Sequence, residues 1–297
     1  MAESQQLLGS QSSYGDRLRD RLSVDKLLPT IGIYDVFSAS IAAQHFEAVF
    51  CSGYGFAASH YGLPDEGYIT WTDMVDYVGR VRHVLPDTHI IVDIDDGYGD
   101  PNIAANVVAR LERTGASGLI LEDQRRPKKC GHLPGKEILP LEEYLERLNR
   151  VLETRDKLFV VARTDAEEFE EGLRRAEAFV KAGADAVMVE GLTKLENVSA
   201  VKKVIGNDIP LMVNLIQGGK TPDVSLTELH SLGADIVIYS TPCLYPAQQA
   251  IEDEMKRLLQ SDGRLENDVE KVDLTRNRKI MELNAAIGHG QSHHETL

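Results

Sequence analysis

The chain is poor in cysteine, in basic residues and in long apolar runs, and each scarcity argues against a class of protein. Its cysteines, Cys51, Cys130 and Cys243, are too few and too scattered for a disulfide-stapled scaffold. No stretch provides the ~18 consecutive apolar residues that a membrane-spanning helix needs. The N-terminal segment lacks the basic part followed by an apolar part that marks a signal peptide. We therefore expect a cytoplasmic protein without a membrane partner.

Basic residues are clearly outnumbered by acidic ones. Lys and Arg total 32 against 47 Asp and Glu, which gives a formal net charge of -15. Such an acidic surface repels phosphate backbones and anionic lipids, which argues against nucleic acid and membranes as partners. A small anionic substrate remains compatible with it, because a metal ion and a few local cations set the field inside a pocket.

Short, continuously apolar runs alternate with longer amphipathic segments along most of the chain. Such runs are typical of parallel strands covered on both faces, and the alternation predicts a (β/α)8 TIM barrel. A doubly wound sheet is the alternative, but no G-x-G-x-x-G motif follows the first strand. The predicted strands are 29–34, 48–52, 89–95, 118–122, 158–163, 186–190, 209–214 and 235–240. The predicted helices between and after them are 37–46, 72–84, 102–114, 140–155, 167–182, 195–205, 225–232 and 244–260.

The predicted barrel forms one catalytic domain, 29–260, preceded by an N-terminal segment, 1–28. Residues 261–297 are predicted to form a C-terminal helical extension, with a helix over 266–284 and a disordered tail after it. We expect this extra helix to cap the barrel or to pack on a partner subunit.

Carboxylates stand where two neighbouring predicted strands end, and barrel active sites lie at the C-terminal ends of strands. Asp93 and Asp95 end the third strand, and Glu122 ends the fourth. Alternate residues of a strand point to one face, so both aspartates are expected to face the barrel axis. Oxygen ligands without a His or Cys set favour Mg²⁺, held partly through water, over zinc. An Asp-Asp-Gly turn that merely closes a strand is the alternative, and Glu122 on the next strand weakens it.

A polar loop, PKKCGH, places Cys130 beside Lys128, Lys129 and His132. Cations lower the pKa of a nearby thiol, so we interpret Cys130 as a reactive thiolate or a proton carrier rather than as a small buried apolar residue. Gly131, the next residue, lets the backbone approach a ligand closely.

Two further features have both a functional and a structural interpretation. Arg163, at the end of the fifth strand, suits a forked contact with a carboxylate, but an ion pair with Asp165 or Glu190 fits equally well. The glycine-rich segment 52–67 offers backbone N–H groups to a carboxylate or phosphate, or it is simply a tight loop.

These residues, in this order, resemble the isocitrate lyase/phosphoenolpyruvate mutase superfamily. The match covers roughly 30–260, and the EDQ…PKKCGH loop is its most specific element. The resemblance implies a (β/α)8 barrel whose last helix is swapped between the subunits of a homo-oligomer, a dimer or tetramer. It also implies Mg²⁺ or Mn²⁺ near the strand ends, with a small carboxylate ligand, a 2-oxo acid, chelated to the metal.

The resemblance implies a role for each candidate residue. Asp93 is implied to bind the metal directly, and Asp95 and Glu122 largely through water. The implied catalytic residues are Cys130, Arg163, Lys128 and His132. The implied substrate-binding residues are Ser52, Gly53, Tyr54, Asp65, Gly131, Glu190 and Asn214. The segment from Lys128 to His132 is implied to be a mobile gating loop.

Within the superfamily a loop cysteine accompanies C–C bond lyases, whose thiol exchanges a proton with an enolate-like fragment. The implied reaction is retro-aldol cleavage of a substituted 2-hydroxy di- or tricarboxylic acid, of the methylisocitrate or dimethylmalate type, to a 2-oxo acid and a carboxylate. Phosphonate P–C bond chemistry or 2-oxo acid decarboxylation is the alternative on this scaffold. A non-catalytic barrel would require the metal and thiol residues to be incidental.

The chain departs from methylisocitrate lyases at several positions around the expected pocket. Ile120 stands where many lyases have His, and Phe50 stands where methylisocitrate lyases have Tyr. Ile216 and Gln217 replace a Thr-Glu pair, and the region of Tyr245 replaces an arginine that helps to hold a tricarboxylate. These differences favour a less charged, bulkier or more apolar substrate.

Overall fold

Parallel strands form a closed barrel in the computed structural model, which describes residues 12–24, 26–265 and 272–288. The strands are β1 (Leu28–Ile33), β2 (Ala48–Cys51), β3 (His89–Asp93), β4 (Gly118–Glu122), β5 (Phe159–Thr164), β6 (Ala186–Val189), β7 (Leu211–Leu215) and β8 (Ile236–Tyr239). Each strand pairs in parallel with the next in chain order, and β8 pairs with β1 to close the barrel. The predicted (β/α)8 TIM barrel is confirmed.

Helices surround the barrel, and most of them follow a strand. They are α1 (Tyr14–Leu22), α2 (Val36–Ala42), α3 (Gly53–Phe56), α4 (Trp71–Val84), α5 (Pro101–Thr114), α6 (Leu141–Thr154), α7 (Phe169–Ala182), α8 (Glu196–Ile205), α9 (Leu226–Ser231), α10 (Leu244–Gln260) and α11 (Leu274–Gly288). Local sequence sets their ends. In α5, for example, the Asp100 side chain accepts the first free N–H groups, and Gly115, at φ 97°, ends the helix in the left-handed conformation.

The side chains that point into the barrel are apolar at one end of the strands and ionisable at the other. Nearer the N-terminal ends of the strands the inward side chains are apolar, for example Ile91, Ile120 and Val161, and they pack into one buried cluster. Two residues further along the same strands, the inward positions are Asp93, Glu122 and Arg163. Because side chains of a strand alternate between its faces, the apolar floor and the polar mouth are built by the same strands.

Helix α1 was not predicted from the sequence. Its Leu18 side chain is fully buried in the apolar cluster inside the barrel, so α1 covers the N-terminal end of the barrel. Arg19 attaches it to β5 and β6 by donating to the Lys157 carbonyl oxygen, 2.6 Å, and to Asp185, 2.9 Å. The segment YGDRLRDRL has only two leucines among its charged residues, too few to show a helical apolar stripe.

The last two helices, α10 and α11, differ in how they pack against the rest of the chain. No side chain of α10 is buried against the described chain. In contrast, α11 lies against α2 and α4, and Asn284 Nδ2 donates to Ser40 Oγ across 2.9 Å. The predicted extra helix over 266–284 thus corresponds to α11, while 266–271 and the predicted disordered tail from 289 onward lie outside the described residues. Among the described helices none is long and apolar enough to cross a bilayer.

Candidate active site

A cavity of about 200 Å³ opens at the C-terminal ends of the strands. All the site residues predicted from the sequence line it except Gly53 and Asp95, which lie directly behind its acidic wall. Its lining also includes residues that the sequence did not single out as functional: Leu133, Gly218, Gly219, Ile238 and Thr241. The strands therefore bring residues from 50 to 245 of the chain into one pocket, as the barrel requires.

Three carboxylates converge beside Gly53 and form the acidic end of the cavity. A Cβ atom on Gly53 would lie 3.2 Å from Asp93 Oδ2 and 3.5 Å from both Asp65 Oδ1 and Asp95 Oδ1. Ser52 precedes it and caps the short helix α3, accepting a hydrogen bond from the Gly55 N–H at 3.2 Å. The glycine-rich segment is therefore partly helical, and its first glycine leaves room for the carboxylates.

Asp95 reaches this cluster through a turn rather than along a strand. The strand β3 ends at Asp93, and Asp95 has φ 50°, in the left-handed region that costs an ordinary residue energy. Its backbone N–H donates to Asp93 Oδ1 across 3.0 Å, which fixes the turn. Both aspartates lie at the acidic end of the cavity. The expected reason, alternation of side chains along one strand, is wrong, because Asp95 lies beyond the end of β3.

An arginine of α6 holds the same turn from behind. Arg147 donates to the backbone oxygen of Asp96 and to that of Gly99, and it pairs with the Asp96 carboxylate at 3.3 Å. Arg126 pairs with Asp96 from the other side, at 2.8 Å. The strained turn that carries Asp95 is thus fixed by two cations outside the cavity.

Lys128 is the cation that faces the acidic end. Its ammonium pairs with Asp95 and lies 2.9 Å from Asp65 Oδ1, with the side chain only 2% exposed. Burial alone would lower the pKa of Lys128, but Asp95, Asp65, Glu122 and Asp93 raise it well above its usual range. Lys128 therefore stays charged and offsets part of the negative charge of this end.

The carboxylates beside it are nevertheless short of positive charge. Burial raises the pKa of Asp93 to about 6 and raises that of Glu122 well above its usual range. Glu122 Oε1 is buried without a hydrogen-bond partner among the described residues. Buried anionic oxygens without partners are costly, and a hard cation would satisfy them.

No group of three or more His, Cys, Asp and Glu side chains within the described ranges is arranged to hold a metal ion on its own. Mg²⁺ normally takes one or two carboxylates directly and completes its shell with water and substrate oxygens. Asp93, with Asp95 and Glu122 beside it, fits that mode of binding. The donor set is compatible with a hard divalent cation.

Cys130 is half-buried and lines the cavity from the loop between Lys128 and Lys136. Burial has the largest effect on the pKa of its thiol and raises it. A hydrogen bond with the His132 backbone lowers this pKa by a smaller amount, and the negative charge of Glu190 raises it again. The prediction that neighbouring lysines lower this pKa is wrong, because Lys128 turns towards the carboxylates and Lys129 donates to the Gly135 carbonyl oxygen. Cys130 is therefore a neutral thiol.

The loop is closed over the cavity. Gly131 lies so near the opposite wall that a Cβ atom there would lie 2.5 Å from Glu190 Cγ and would also clash with Arg163 Nη2. The next residue, His132, accepts a hydrogen bond from the Lys220 backbone N–H at 2.8 Å and places Nε2 3.1 Å from Glu190 Oε1. The segments that follow β6 and β7 therefore hold the loop against the barrel.

Arg163 forms the ion pairs that the structural interpretation predicts. Its guanidinium donates two hydrogen bonds to Asp165, at 2.8 and 3.0 Å, and lies 3.3 Å from Glu122 Oε2 and 3.9 Å from Glu190 Oε1. It also lines the cavity. Burial lowers its pKa, but the three carboxylates raise it well above the usual range, so it is a fixed positive charge.

Glu190 and Asn214 form the side wall between Arg163 and the loop. Asn214 Nδ2 donates to Glu190 Oε1 across 2.8 Å, and Asn214 Oδ1 accepts from Ser240 Oγ at 2.7 Å. Burial alone would raise the pKa of Glu190, but Arg163 and His132 lower it overall, so this carboxylate is ionised.

An apolar wall completes the cavity. Phe50, Leu133, Ile216 and Ile238 line it, and the rings of Tyr54 and Tyr245 meet edge to face with centroids 6.4 Å apart. The sequence identified Phe50, Ile216 and Tyr245 only as departures from a pattern. Leu133 and Ile238 carried no signal, because apolar residues in strands and loops usually serve packing.

The chain is similar to several known proteins in sequence and in fold. A family model described as phosphoenolpyruvate phosphomutase matches residues 18–259. The petal death protein of Dianthus caryophyllus is 36% identical over 81% of this chain and 77% of its own length. The crystal structure of 2,3-dimethylmalate lyase, described as a PEP mutase/isocitrate lyase superfamily member, has a TM-score of 0.87 at 30% identity and covers 93% of this chain and 94% of that chain. Oxaloacetate acetylhydrolase with the inhibitor 3,3-difluorooxalacetate has a TM-score of 0.87 at 31% identity, covering 95% and 98%. The resemblance inferred from the sequence is confirmed.

Gly131→Ala is expected to prevent loop closure, because its methyl group would occupy the space of Arg163 and Glu190. Alkylation of Cys130 by iodoacetamide, followed by peptide mass spectrometry, should become at least severalfold faster. Gly79→Ala is the matched control, since its Cβ would meet only Thr114 Cγ2, at 3.3 Å, far from the site. An alkylation rate equal to that of the unmodified chain would contradict the close packing of Gly131 against Arg163 and Glu190.

Proposed function

The chain belongs to the phosphoenolpyruvate phosphomutase family, and on that premise we propose that it is a carbon–carbon lyase. It cleaves a substituted 2-hydroxy dicarboxylic acid, of the dimethylmalate type, to a 2-oxo acid and a carboxylate. The observation that carries this proposal is that one cavity is lined both by a carboxylate cluster that suits a hard cation and by a closed loop that presents the Cys130 thiol.

The carboxylate end would hold the 2-oxo acid half of the substrate. Asp93, supported by Asp95 and Glu122, would hold Mg²⁺ or Mn²⁺, which when bound polarises the substrate oxygen that becomes the carbonyl. Arg163, 3.3 Å from Glu122, supplies a fixed positive charge that would attract a substrate carboxylate. The buried carboxylates of this end are the groups able to accept the hydroxyl proton.

Cys130 would complete the reaction at the other end. When the bond between the hydroxyl-bearing carbon and its neighbour breaks, its electron pair stays on the departing fragment, which is then a carbanion next to a carboxylate. The neutral thiol donates its proton to that carbon, and the thiolate is reprotonated before the next turnover. A raised pKa suits this role, because a proton donor must be protonated at neutral pH.

The cavity favours a dicarboxylate with an apolar substituent over a tricarboxylate. Its two buried cations, Lys128 and Arg163, are already paired with carboxylates of the chain. Phe50, Ile216 and Ile238 offer an apolar wall to an alkyl group. Burying a third substrate carboxylate there without a partner would be costly.

We also propose that the active form is a helix-swapped homo-oligomer. The residues Ile251, Met255 and Leu259 form a stripe along α10 and are 61%, 56% and 85% exposed. On the barrel, Phe37 and Ile41 of α2 are likewise exposed, at 36% and 40%. In a closed barrel the helix after β8 normally covers this side. In the proposed oligomer, the α10 helix of a second copy would cover the α2 surface of the first copy. The apolar stripe of that α10 helix would be buried in the same contact.

A cytoplasmic location is proposed on chemical grounds. The three cysteines of the chain are all unpaired, and Cys51 is deeply buried as a free thiol. Free thiols are typical of reducing compartments.

The proposed reaction is tested with a panel of 2-alkylmalates, dimethylmalate, methylisocitrate and phosphonopyruvate, followed by ¹³C and ³¹P NMR. We expect cleavage of an alkylated dicarboxylate that requires added Mg²⁺ or Mn²⁺ and stops with a chelator. Asp93→Asn should reduce kcat/KM at least 100-fold, because the direct metal ligand loses its charge. Asp100→Asn, which keeps a good helix cap, should behave like the unmodified chain. Rearrangement of the phosphonate without C–C cleavage would move the assignment to a phosphomutase.

Cys130→Ser should lower kcat by roughly 10²–10⁴-fold, the usual contribution of a general acid, with a smaller change in KM. Burial raises the pKa of the Cys130 thiol, so activity should persist as pH rises until this raised pKa is passed, above the ~8.5 of a free thiol. The alkaline limb of the kcat profile should be absent in the serine variant. Cys243→Ser, outside the cavity lining, is the control, and a fully active Cys130→Ser enzyme would rule out proton donation by the thiol.

Met255→Glu is expected to dissociate the oligomer, because it places a charge in the apolar stripe of α10. Sedimentation velocity measures the result as a fall in mass to that of one 32.9 kDa chain. Gln249→Glu, on the opposite face of α10, should leave the mass unchanged. A monomeric unmodified chain, or an unaltered mass for Met255→Glu, would argue against the swap.

A further inference from the structure

Lys136 lies just beyond the loop that covers the cavity and is not part of the cavity lining. It begins a segment that is anchored to the end of β4. Arg125 N donates to Glu137 O at 2.7 Å, and Leu139 N donates to Asp123 O at 2.8 Å. Lys136 therefore stands on an anchored part of the chain, beside the loop that lies over the cavity.

The Lys136 side chain makes two strong contacts, although it is only 2% exposed. Its ammonium donates to the Gly131 carbonyl oxygen at 2.6 Å and to Asp165 Oδ1 at 3.0 Å. Gly131 belongs to the loop, whereas Asp165 lies directly after β5 and is itself fully buried. One ammonium thus joins the loop to the barrel.

Asp165 is also the anchor of Arg163. Both of its oxygens accept hydrogen bonds from that guanidinium, and its backbone N–H donates to Asp123 Oδ1 at 2.9 Å. The Asp165 carboxylate is consequently shared by the arginine that lines the cavity and by the lysine that holds the Gly131 carbonyl. One buried carboxylate therefore contacts both Arg163 and the lysine that reaches the loop.

We infer that Lys136 is a positioning residue, which holds the loop closed through the Gly131 carbonyl oxygen and couples that closure to Arg163 through Asp165. When the loop opens, the Gly131 carbonyl oxygen moves away and the ammonium loses one of its two partners. A hydrogen bond to a charged group contributes more than a neutral one, so its loss shifts the loop equilibrium by about tenfold or more. The inference rests on the loop geometry and does not depend on which substrate the cavity takes.

The test measures loop opening directly, through the rate at which iodoacetamide alkylates Cys130 in the ligand-free protein. Peptide mass spectrometry separates Cys130 from Cys243, which serves as an internal reference. Lys136→Met retains most of the volume but removes the ammonium, and it should raise the Cys130 rate by about tenfold. The Cys243 rate should stay unchanged. With an active substrate, kcat/KM should fall by a similar factor.

Lys202→Met is a matched control at the other end of the barrel. Lys202 also bridges an aspartate and a backbone carbonyl, donating to Asp235 Oδ2 and Ile209 O, both at 2.8 Å. Its loss should lower the melting temperature without changing the Cys130 alkylation rate.

A folded Lys136→Met protein with the alkylation rate of the unmodified chain would overturn the inference, whatever happened to its activity. If that variant does not fold, Lys136→Gln decides the question in the same assay, because it keeps a donor but removes the charge. A faster Cys130 rate in Lys136→Gln supports the inference, and an unchanged rate refutes it. Failure of the proposed lyase reaction would leave these rates unaffected, so the two conclusions are separable.

Discussion

The burial of several carboxylates at one end of the barrel is the constraint on which the rest of the site depends. Asp93, Asp95, Glu122, Asp165 and Glu190 are all at most 8% exposed. Anions cannot share a water-poor space unless cations or hydrogen-bond donors accompany them. The barrel brings the carboxylates together, so the surrounding chain must deliver positive charge to the same place.

That positive charge comes from two sources, a strand of the barrel and a loop. Arg163 is carried by β5 and is fixed by Asp165, whereas Lys128 arrives on the loop that also carries Cys130. Placing Lys128 among the carboxylates therefore also places the loop over the cavity. The same placement of Lys128 therefore both supplies charge to the acidic end and closes the site. Lys136, at the far end of the loop, is a third cation beside these carboxylates.

The two ends of the cavity consequently differ in protonation. At the acidic end, burial raises the pKa of Asp93 and of Glu122, which marks a place where added positive charge is stabilised. At the loop, burial keeps Cys130 a neutral thiol, while Glu190 beside it is held ionised chiefly by Arg163. One end suits a cation and an oxyanion, and the other suits a proton donor. The proposed cleavage of a carbon–carbon bond would use both.

The sequence alone determined the features that arise from short-range pattern. Continuous apolar runs and the helices between them are enough to define the barrel, because each βα unit repeats the same local requirement. Chemically distinctive residues at strand ends, such as Asp93, Glu122 and Arg163, were also recognisable, since the barrel topology brings all strand ends to one face.

Only the tertiary structure decided how those residues act. Asp95 reaches the acidic end through a left-handed turn, and no strand periodicity reveals such a turn. The direction of the Cys130 pKa shift depends on where Lys128 and Lys129 point, which is set by partners distant in sequence. The role of Lys136 depends on Asp165, 29 residues away. Burial and long-range pairing are properties of the folded chain, and for that reason the sequence named the participants but not their charges or their contacts.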